Sequence, residues 1–172
     1  YMRLMEDRHA DTAFERVVNT PPRGIGDKSV EAVRQQARAT GVSLWQAVKE
    51  GLAAGVFKGR AQTTLSGFVA LIDQMAEVAA SMSLHELADH CIETSGLMTY
   101  HRQERGERGL ARKENLEELV SACRQFAGEV VFPLSDSDKA EVSVLREFLD
   151  QVALDAGDRQ AQQGPCVQMM TL

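Results

Sequence analysis

The sequence predicts an all-α fold, an irregular helical bundle that contains a helix-hairpin-helix turn. Aromatic residues make up only 5% of the chain, and residues that favour helices over sheets are plentiful. Apolar residues recur at helical spacing along most of the sequence. Ser, Asp, Gly and Pro stand where helices would begin or end. The 172 residues are enough to bury a core without metals or disulfides.

Short helices are expected in the first third. One begins at Asp11 and stops at the Asn-Thr-Pro-Pro run 19–22, because proline lacks the N–H that a helix interior needs. Asp27 is expected to cap the next helix through its side chain, and Gly41 to end it. Ser43 is expected to cap a further helix. The apolar faces of these helices comprise Ala13, Phe14, Val17, Val18, Val30, Val33, Ala37, Leu44, Trp45 and Val48.

Longer helices are expected afterwards. One runs around residues 65–75, and the next begins with a Ser83–Glu86 capping box and closes at Ser95-Gly96. The strongest periodicity covers 110–127, and the last helix surrounds 144–152. The apolar stripes comprise Leu65, Phe68, Val69, Ile72, Met75, Leu84, Leu87, Cys91, Ile92, Leu116, Leu119, Val120, Cys123, Phe126, Val144, Leu145, Phe148, Leu149 and Val152.

The remaining segments are expected to be irregular. The stretch 102–112 is mixed in charge and indicates an exposed loop, 132–138 an irregular loop, and 155–165 a flexible linker. Residues 167–172 indicate a strand, whose pairing partners would lie outside this segment because a lone strand leaves its backbone groups unsatisfied. At the other end, Tyr1 is not an initiator Met and the run YMRLM indicates the last turn of a helix, so both ends are expected to be cut from a longer protein.

Several classes of site find no support in the sequence. Cys91, Cys123 and Cys166 are isolated and odd in number, which indicates reduced thiols in a cytoplasmic protein. His85 and His90 would lie about 140° apart around a helix, so they could not easily share a metal ion. No nucleophile–base pair, signal peptide or membrane-spanning run is recognisable.

Charge is unevenly distributed. The net charge is −6, yet residues 1–60 carry ten Lys/Arg against seven Asp/Glu, while residues 61–172 carry nine against eighteen. A nucleic-acid contact would therefore come from the first third. Charge alone fits a chance fluctuation on a solvated surface equally well. The cluster Glu114, Glu117 and Glu118 indicates a solvated helix face.

The turn at 23–26, between two short helices, is the main candidate for a phosphate-binding site. Glycines let the backbone approach a phosphate, and the amides of the next helix would point at it. Ile25 would turn inwards and hold the helices together. The same residues also fit a purely structural turn without any ligand. The expected contact residues are Arg23, Gly24, Ile25, Gly26, Lys28 and Ser29.

A second, weaker hairpin is expected at Lys58, Gly59 and Arg60, touching the same ligand. Its alternative is a solvated helix start. Trp45 could stack on a base, but beside Leu44 and Val48 it is expected to belong to the core.

Four segments in matching order carry a resemblance to a known family. These are 13–30 (AFERVVNTPPRGIGDKSV), 43–47 (SLWQA), 114–120 (ENLEELV) and 167–172 (VQMMTL). Together they resemble the 2B subdomain of superfamily 1 DNA helicases of the UvrD/PcrA/Rep type. The UvrD type fits better than the Rep type, which typically has Glu in place of Gly24.

The resemblance implies a role in an ATP-dependent 3′-to-5′ DNA helicase of repair and replication. This chain would bind duplex DNA at a junction of single and double strands through the phosphate backbone, and would regulate unwinding. It carries no catalytic residue and no P-loop, so ATP and Mg²⁺ would be cofactors of the parent protein only, and the isolated chain would be inactive. No metal site and no membrane contact are expected.

The resemblance also implies a layout. Residues 1–10 would end a helix leading out of the 2A motor domain, 11–157 would form the 2B subdomain, 158–166 a linker, and 167–172 a strand returning to 2A. The 2A and 1B domains of the same chain, and repair proteins, would be its protein partners.

The alternative hypothesis is a helical protein–protein interaction module with no direct DNA contact. Its acidic part, 61–172, would dock a partner, and the turn at 23–26 would be merely structural. A salt titration of duplex binding distinguishes the two hypotheses, because phosphate contacts release counterions.

Overall fold

The computed structural model describes residues 1–104, 106–129 and 143–161, and within these ranges all the regular elements are α-helices, as predicted. The strand predicted at 167–172 and the loop at 132–138 lie outside the described residues. The helices are α1 Met2–Glu6, α2 Asp11–Val17, α3 Asp27–Thr40, α4 Leu44–Ala53, α5 Arg60–Ala79, α6 Leu84–Ser95, α7 Leu97–Gln103, α8 Glu107–Glu129 and α9 Val144–Ala161.

The chain divides into two compact units, residues 1–130 and residues 131–172. Helices α1 to α8 belong to the first unit. Leu4 of α1 is fully buried, so residues 1–10 pack into the same unit as the helices that follow. None of the described helices is long and apolar enough to cross a membrane.

An aromatic cluster forms the centre of the first unit. The rings of Phe14 and Phe68 meet edge to face with centroids 5.5 Å apart, and Trp45 meets Phe68 at 6.3 Å. Arg8 lies 4.5 Å above the Trp45 ring and donates to Asp73 at 3.1 Å. Trp45 is therefore a core residue, as predicted.

Local sequence signals correctly predict several helix ends. The Ser43 hydroxyl accepts from the Gln46 N–H at 3.3 Å, and the Ser83 N–H donates to the Glu86 carboxylate at 2.9 Å. Gly41 and Gly96 end α3 and α6 in the left-handed conformation, as expected.

The capping role predicted for Asp27 is wrong. Gly26 is the N-cap of α3, and Asp27 is the first residue inside the helix. Its carboxylate still lies favourably at the positive end of the helix dipole, which explains its presence there without a capping bond.

The loop predicted at 102–112 is also wrong. Helix α7 runs to Gln103 and α8 begins at Glu107, so the break is confined to a few residues. Arg, Glu, Gln and Ala are good helix formers, and mixed charge on a helix can pair. Arg112 and His101 both approach the Glu104 carboxylate at 3.4 Å.

Helix α9 extends further than predicted. Residues 155–161, expected to be linker, are helical, because one glycine among helix-forming residues does not stop a helix. The part of the proposed linker after Ala161 lies outside the described residues. In α8, Cys123 is fully buried, while Glu114, Glu117 and Glu118 are exposed, as predicted.

The buried thiols lead to a testable prediction. Burial raises the pKa of the Cys91 and Cys123 thiols to about 11, so both stay protonated at pH 8. Because the thiolate is the nucleophile, we expect alkylation of both at pH 8 to be roughly 100-fold slower in the native than in the unfolded protein. Mass spectrometry of iodoacetamide-treated peptides measures these rates. Equal rates in both states would contradict the buried environment.

Candidate nucleic-acid interface

The first predicted hairpin connects α2 to α3 through residues 18–26. Ile25 is 1% exposed, and Val18 and Val33, on the two sides of the turn, are also buried. The prediction that Ile25 turns inwards is confirmed. That Ile25 holds the two helices together stays a prediction. The residues on either side of Ile25, Gly24 and Gly26, are exposed.

Asn19 organises this turn, a role that is not among those predicted from the sequence. Its side-chain oxygen accepts hydrogen bonds from the backbone N–H groups of Arg23 at 2.8 Å and Ile25 at 3.2 Å. An Asn ahead of a Pro-Pro pair was the available signal, since Asn side chains often satisfy nearby backbone amides in turns.

The two glycines of the turn differ in their backbone conformation. Gly24 has a φ of +76°, which side chains rarely adopt. Gly26 has φ −82° and ψ 173°, an extended conformation open to any residue, and a Cβ built on it meets nothing within 4 Å. Gly24 is thus required by the turn, whereas the fold gives no reason for glycine at position 26.

Gly26 leaves the amino end of α3 uncovered. It offers no side-chain cap. The N–H groups of Ser29 and Val30 donate to the Gly26 carbonyl at 2.9 and 3.2 Å, so the amides without a partner inside the helix are those of Asp27 and Lys28. These amides carry a partial positive charge that favours an anion. Lys28 is exposed and Ser29 half-buried in the same first turn.

The second predicted hairpin connects α4 to α5. Phe57 is buried against Gly51, where a side chain would collide with its ring. Gly59, at φ +57°, is the N-cap of α5 and also supplies no side-chain cap. Lys58 and Arg60 are exposed on either side of it. Phe57 thus has the inward-facing role that Ile25 has in the first hairpin.

The structure brings the two hairpins together at Gly24 and Arg60. The Arg60 guanidinium lies directly over Gly24, with Nη2 2.8 Å from the position that a Cβ on Gly24 would take. Two segments chosen separately from the sequence are therefore neighbours in space.

Cationic side chains dominate these two segments. Residues 23–29 and 58–60 hold four Lys/Arg and one acidic residue, Asp27. Lys28, Lys58 and Arg60 form no ion pair with any residue that the structure describes. By contrast, Arg34 pairs with Glu15 at 2.6 Å. Cations without carboxylate partners are free to meet an external anion.

Arg23 is the exception among the predicted contact residues. Its guanidinium donates to the carbonyl oxygens of Val17 at 3.3 Å, Pro21 at 2.9 Å and Ser95 at 2.8 Å. It also lies 5.4 Å from the centre of the Tyr1 ring, whose hydroxyl donates to the Thr20 carbonyl at 2.6 Å. The side chain therefore points into the protein, away from the orientation expected of a phosphate ligand.

Comparison with known proteins gives a consistent match. The family model described as UvrD-like helicase C-terminal domain matches residues 1–172. DNA helicase II of Escherichia coli (strain K12) is 46% identical over 173 residues, covering 100% of this chain and 23% of that protein. DNA helicase II of Haemophilus influenzae is 42% identical, with the same two coverages.

A more distant relative is also named as a DNA helicase. ATP-dependent DNA helicase PcrA of Bacillus subtilis is 28% identical over 156 residues, which cover 91% of this chain and 20% of that protein. The chain thus spans less than a quarter of the length of the curated relatives it matches.

Proposed function

Because the chain belongs to the UvrD-like helicase C-terminal domain family, we propose that it is the duplex-DNA-binding, regulatory 2B subdomain of an ATP-dependent DNA helicase. The observation that carries this proposal is the meeting of the two hairpins, with Arg60 over Gly24 and with Lys28 and Lys58 exposed beside them. Both hairpins end in a glycine N-cap without a side-chain cap. Such an arrangement suits two phosphates of one DNA backbone.

The proposed contact is independent of base sequence. Backbone amides and lysine or arginine side chains at phosphates fix the position of a protein on a duplex but read no base edges. A subdomain that follows a moving junction between single and double strands needs this kind of contact, since every sequence must be accepted in turn.

ATP hydrolysis belongs to other parts of the proposed parent protein. This chain has no Gly-x-x-x-x-Gly-Lys-[Ser/Thr] sequence to cradle the phosphates of a nucleotide. The parent helicase, acting 3′ to 5′ in the cytoplasm with ATP and Mg²⁺, would supply the motor. The present chain would contact the 2A and 1B domains and repair proteins, with residues 158–172 leading back to 2A.

Lysine substitutions test the DNA contact. In the full-length protein, Lys28→Ala and Lys58→Ala should each weaken duplex binding by roughly 3- to 10-fold, the loss of about 1 kcal/mol, and equally for all sequences. Each should lower the slope of log affinity against log salt by about 0.9, because one phosphate contact is lost. Fluorescence anisotropy over a series of salt concentrations measures both quantities.

Lys113→Ala is the matched control. Lys113 carries the same charge but pairs with Glu117 at 3.1 Å on α8, so its loss should leave the slope unchanged. If Lys113→Ala lowers the slope and the two hairpin variants do not, the contact lies on the acidic part. If no variant has any effect, the chain is the protein-docking module of the alternative hypothesis.

A further inference from the structure

The Arg23 side chain joins three separate parts of the first unit. The carbonyls that accept its hydrogen bonds belong to the end of α2 (Val17), to the turn itself (Pro21) and to the last residue of α6 (Ser95). Helix carbonyls at a C-terminal end carry a partial negative charge, which a guanidinium stabilises. Only arginine offers a planar fork of donors that can reach several acceptors at once.

The main chain of Arg23 is held as firmly as its side chain. Its backbone N–H donates to Asn19, the residue that also binds the Ile25 N–H. At the junction of α6 and α7, the Cγ of Pro21 lies 4.0 Å from the position that a Cβ on Gly96 would take. The turn is thus held both from within, by Asn19, and from the α6–α7 junction, by the Arg23–Ser95 hydrogen bond.

A phosphate ligand needs its donors directed to solvent. Three N–H bonds of Arg23 already point at carbonyl oxygens, and the guanidinium also faces the Tyr1 ring. Turning the side chain outwards would leave the Ser95 carbonyl, on a buried residue, without this donor. The side chains of Lys28, Lys58 and Arg60 make no comparable hydrogen bonds to the residues that the structure describes.

We propose that Arg23 is a positioning residue, which anchors the Gly24–Gly26 turn to the carboxyl end of α6 and makes no phosphate contact of its own. The inference rests on the proposed function, because the turn it positions is the proposed DNA contact. Arg60, Lys28 and Lys58 then supply the charge at the interface, and Arg23 fixes where the exposed amides point.

Two substitutions in the full-length protein test this role. Arg23→Ala and Arg23→Lys should both weaken duplex binding by about 10-fold, and lysine should not rescue, because an ammonium cannot bridge three carbonyls. The salt slope should stay that of the wild type in both, whereas Lys28→Ala lowers it by about 0.9. Single-stranded DNA binding should be unchanged.

Hydrogen exchange provides a readout that does not depend on DNA. The Ile25 amide should exchange at least about 10-fold faster in both Arg23 variants, while amides in the middle of α5 keep their protection. Ile72→Val, a core change in α5, is the control for general destabilisation. It should not raise the exchange rate of the Ile25 amide more than that of other amides.

The outcomes separate the two proposals. Full rescue by lysine together with a slope loss of about 0.9 in Arg23→Ala would make Arg23 a phosphate ligand and overturn the positioning role. Unchanged exchange at Ile25 would overturn it as well. If exchange rises but neither the Arg23 nor the lysine variants alter duplex affinity, Arg23 still positions the turn, and the DNA-binding proposal is the one that fails.

Discussion

Gly26→Thr is expected to weaken duplex binding of the full-length protein by about 10- to 100-fold without loss of helical structure. The backbone at Gly26 is extended and a Cβ meets nothing within 4 Å, so the fold accepts a side chain there. Threonine caps helices about as well as glycine, so α3 should keep its start. Its branched side chain would nevertheless cover the amides that the proposed phosphate approaches. Charge-assisted hydrogen bonds of this kind contribute about 1.5–3 kcal/mol each.

The measurement is duplex affinity at fixed salt, with circular dichroism to follow the fold. Gly67→Ala is the matched control, since Gly67 is exposed in the middle of α5 and a Cβ there also meets nothing within 4 Å. It should stabilise the chain by about 0.5–1 kcal/mol and leave duplex affinity unchanged. Unchanged affinity in Gly26→Thr would show that no phosphate approaches this helix end.

Gly24 would give a less decisive experiment than Gly26. With φ at +76°, any side chain at Gly24 strains the turn and also presses on Arg60, so lost binding would have two explanations. The sequence alone gives no basis for distinguishing the roles of the two glycines in Gly-Ile-Gly. Only the backbone conformation shows that one serves the turn and the other leaves room in front of a helix.

Features that depend on neighbouring residues were predictable from the sequence. The caps at Ser43 and Ser83 and the stops at Gly41 and Gly96 follow from contacts within three or four residues. The inward position of Ile25 is also predictable, because an apolar residue between two glycines has few other roles in a hairpin. The apolar stripe predicted for the last helix is wrong at Val144 and Val152, which are 47% and 44% exposed.

Features that depend on distant residues were not predictable. Arg23 beside a glycine turn suggests a phosphate ligand, but its partner Ser95 lies 72 residues further along the chain. The contact between Arg60 and Gly24 likewise depends on how α5 packs against α2. No local pattern contains this information, because it arises when the whole core assembles.

The aromatic cluster explains how the two hairpins are kept together. Phe14 lies in α2, which leads into the first hairpin, and Phe68 lies in α5, two turns after Arg60. The edge-to-face contact of their rings, at 5.5 Å, therefore links α2, which precedes the turn containing Gly24, to α5, which begins at Arg60. The contact between Phe14 and Phe68 therefore both stabilises the core and helps to position the proposed interface.

Phe68→Ala should consequently destabilise the 172-residue chain by about 3–5 kcal/mol, because it leaves a cavity between Phe14 and Trp45 and removes both ring contacts. That is a large fraction of the ~5–15 kcal/mol that stabilises a typical domain. A urea titration followed by circular dichroism measures the free energy of unfolding. Val56→Ala is the control, since Val56 is 48% exposed and its truncation should cost less than about 0.5 kcal/mol. Similar losses in the two variants would mean that the aromatic cluster is not the centre of the fold.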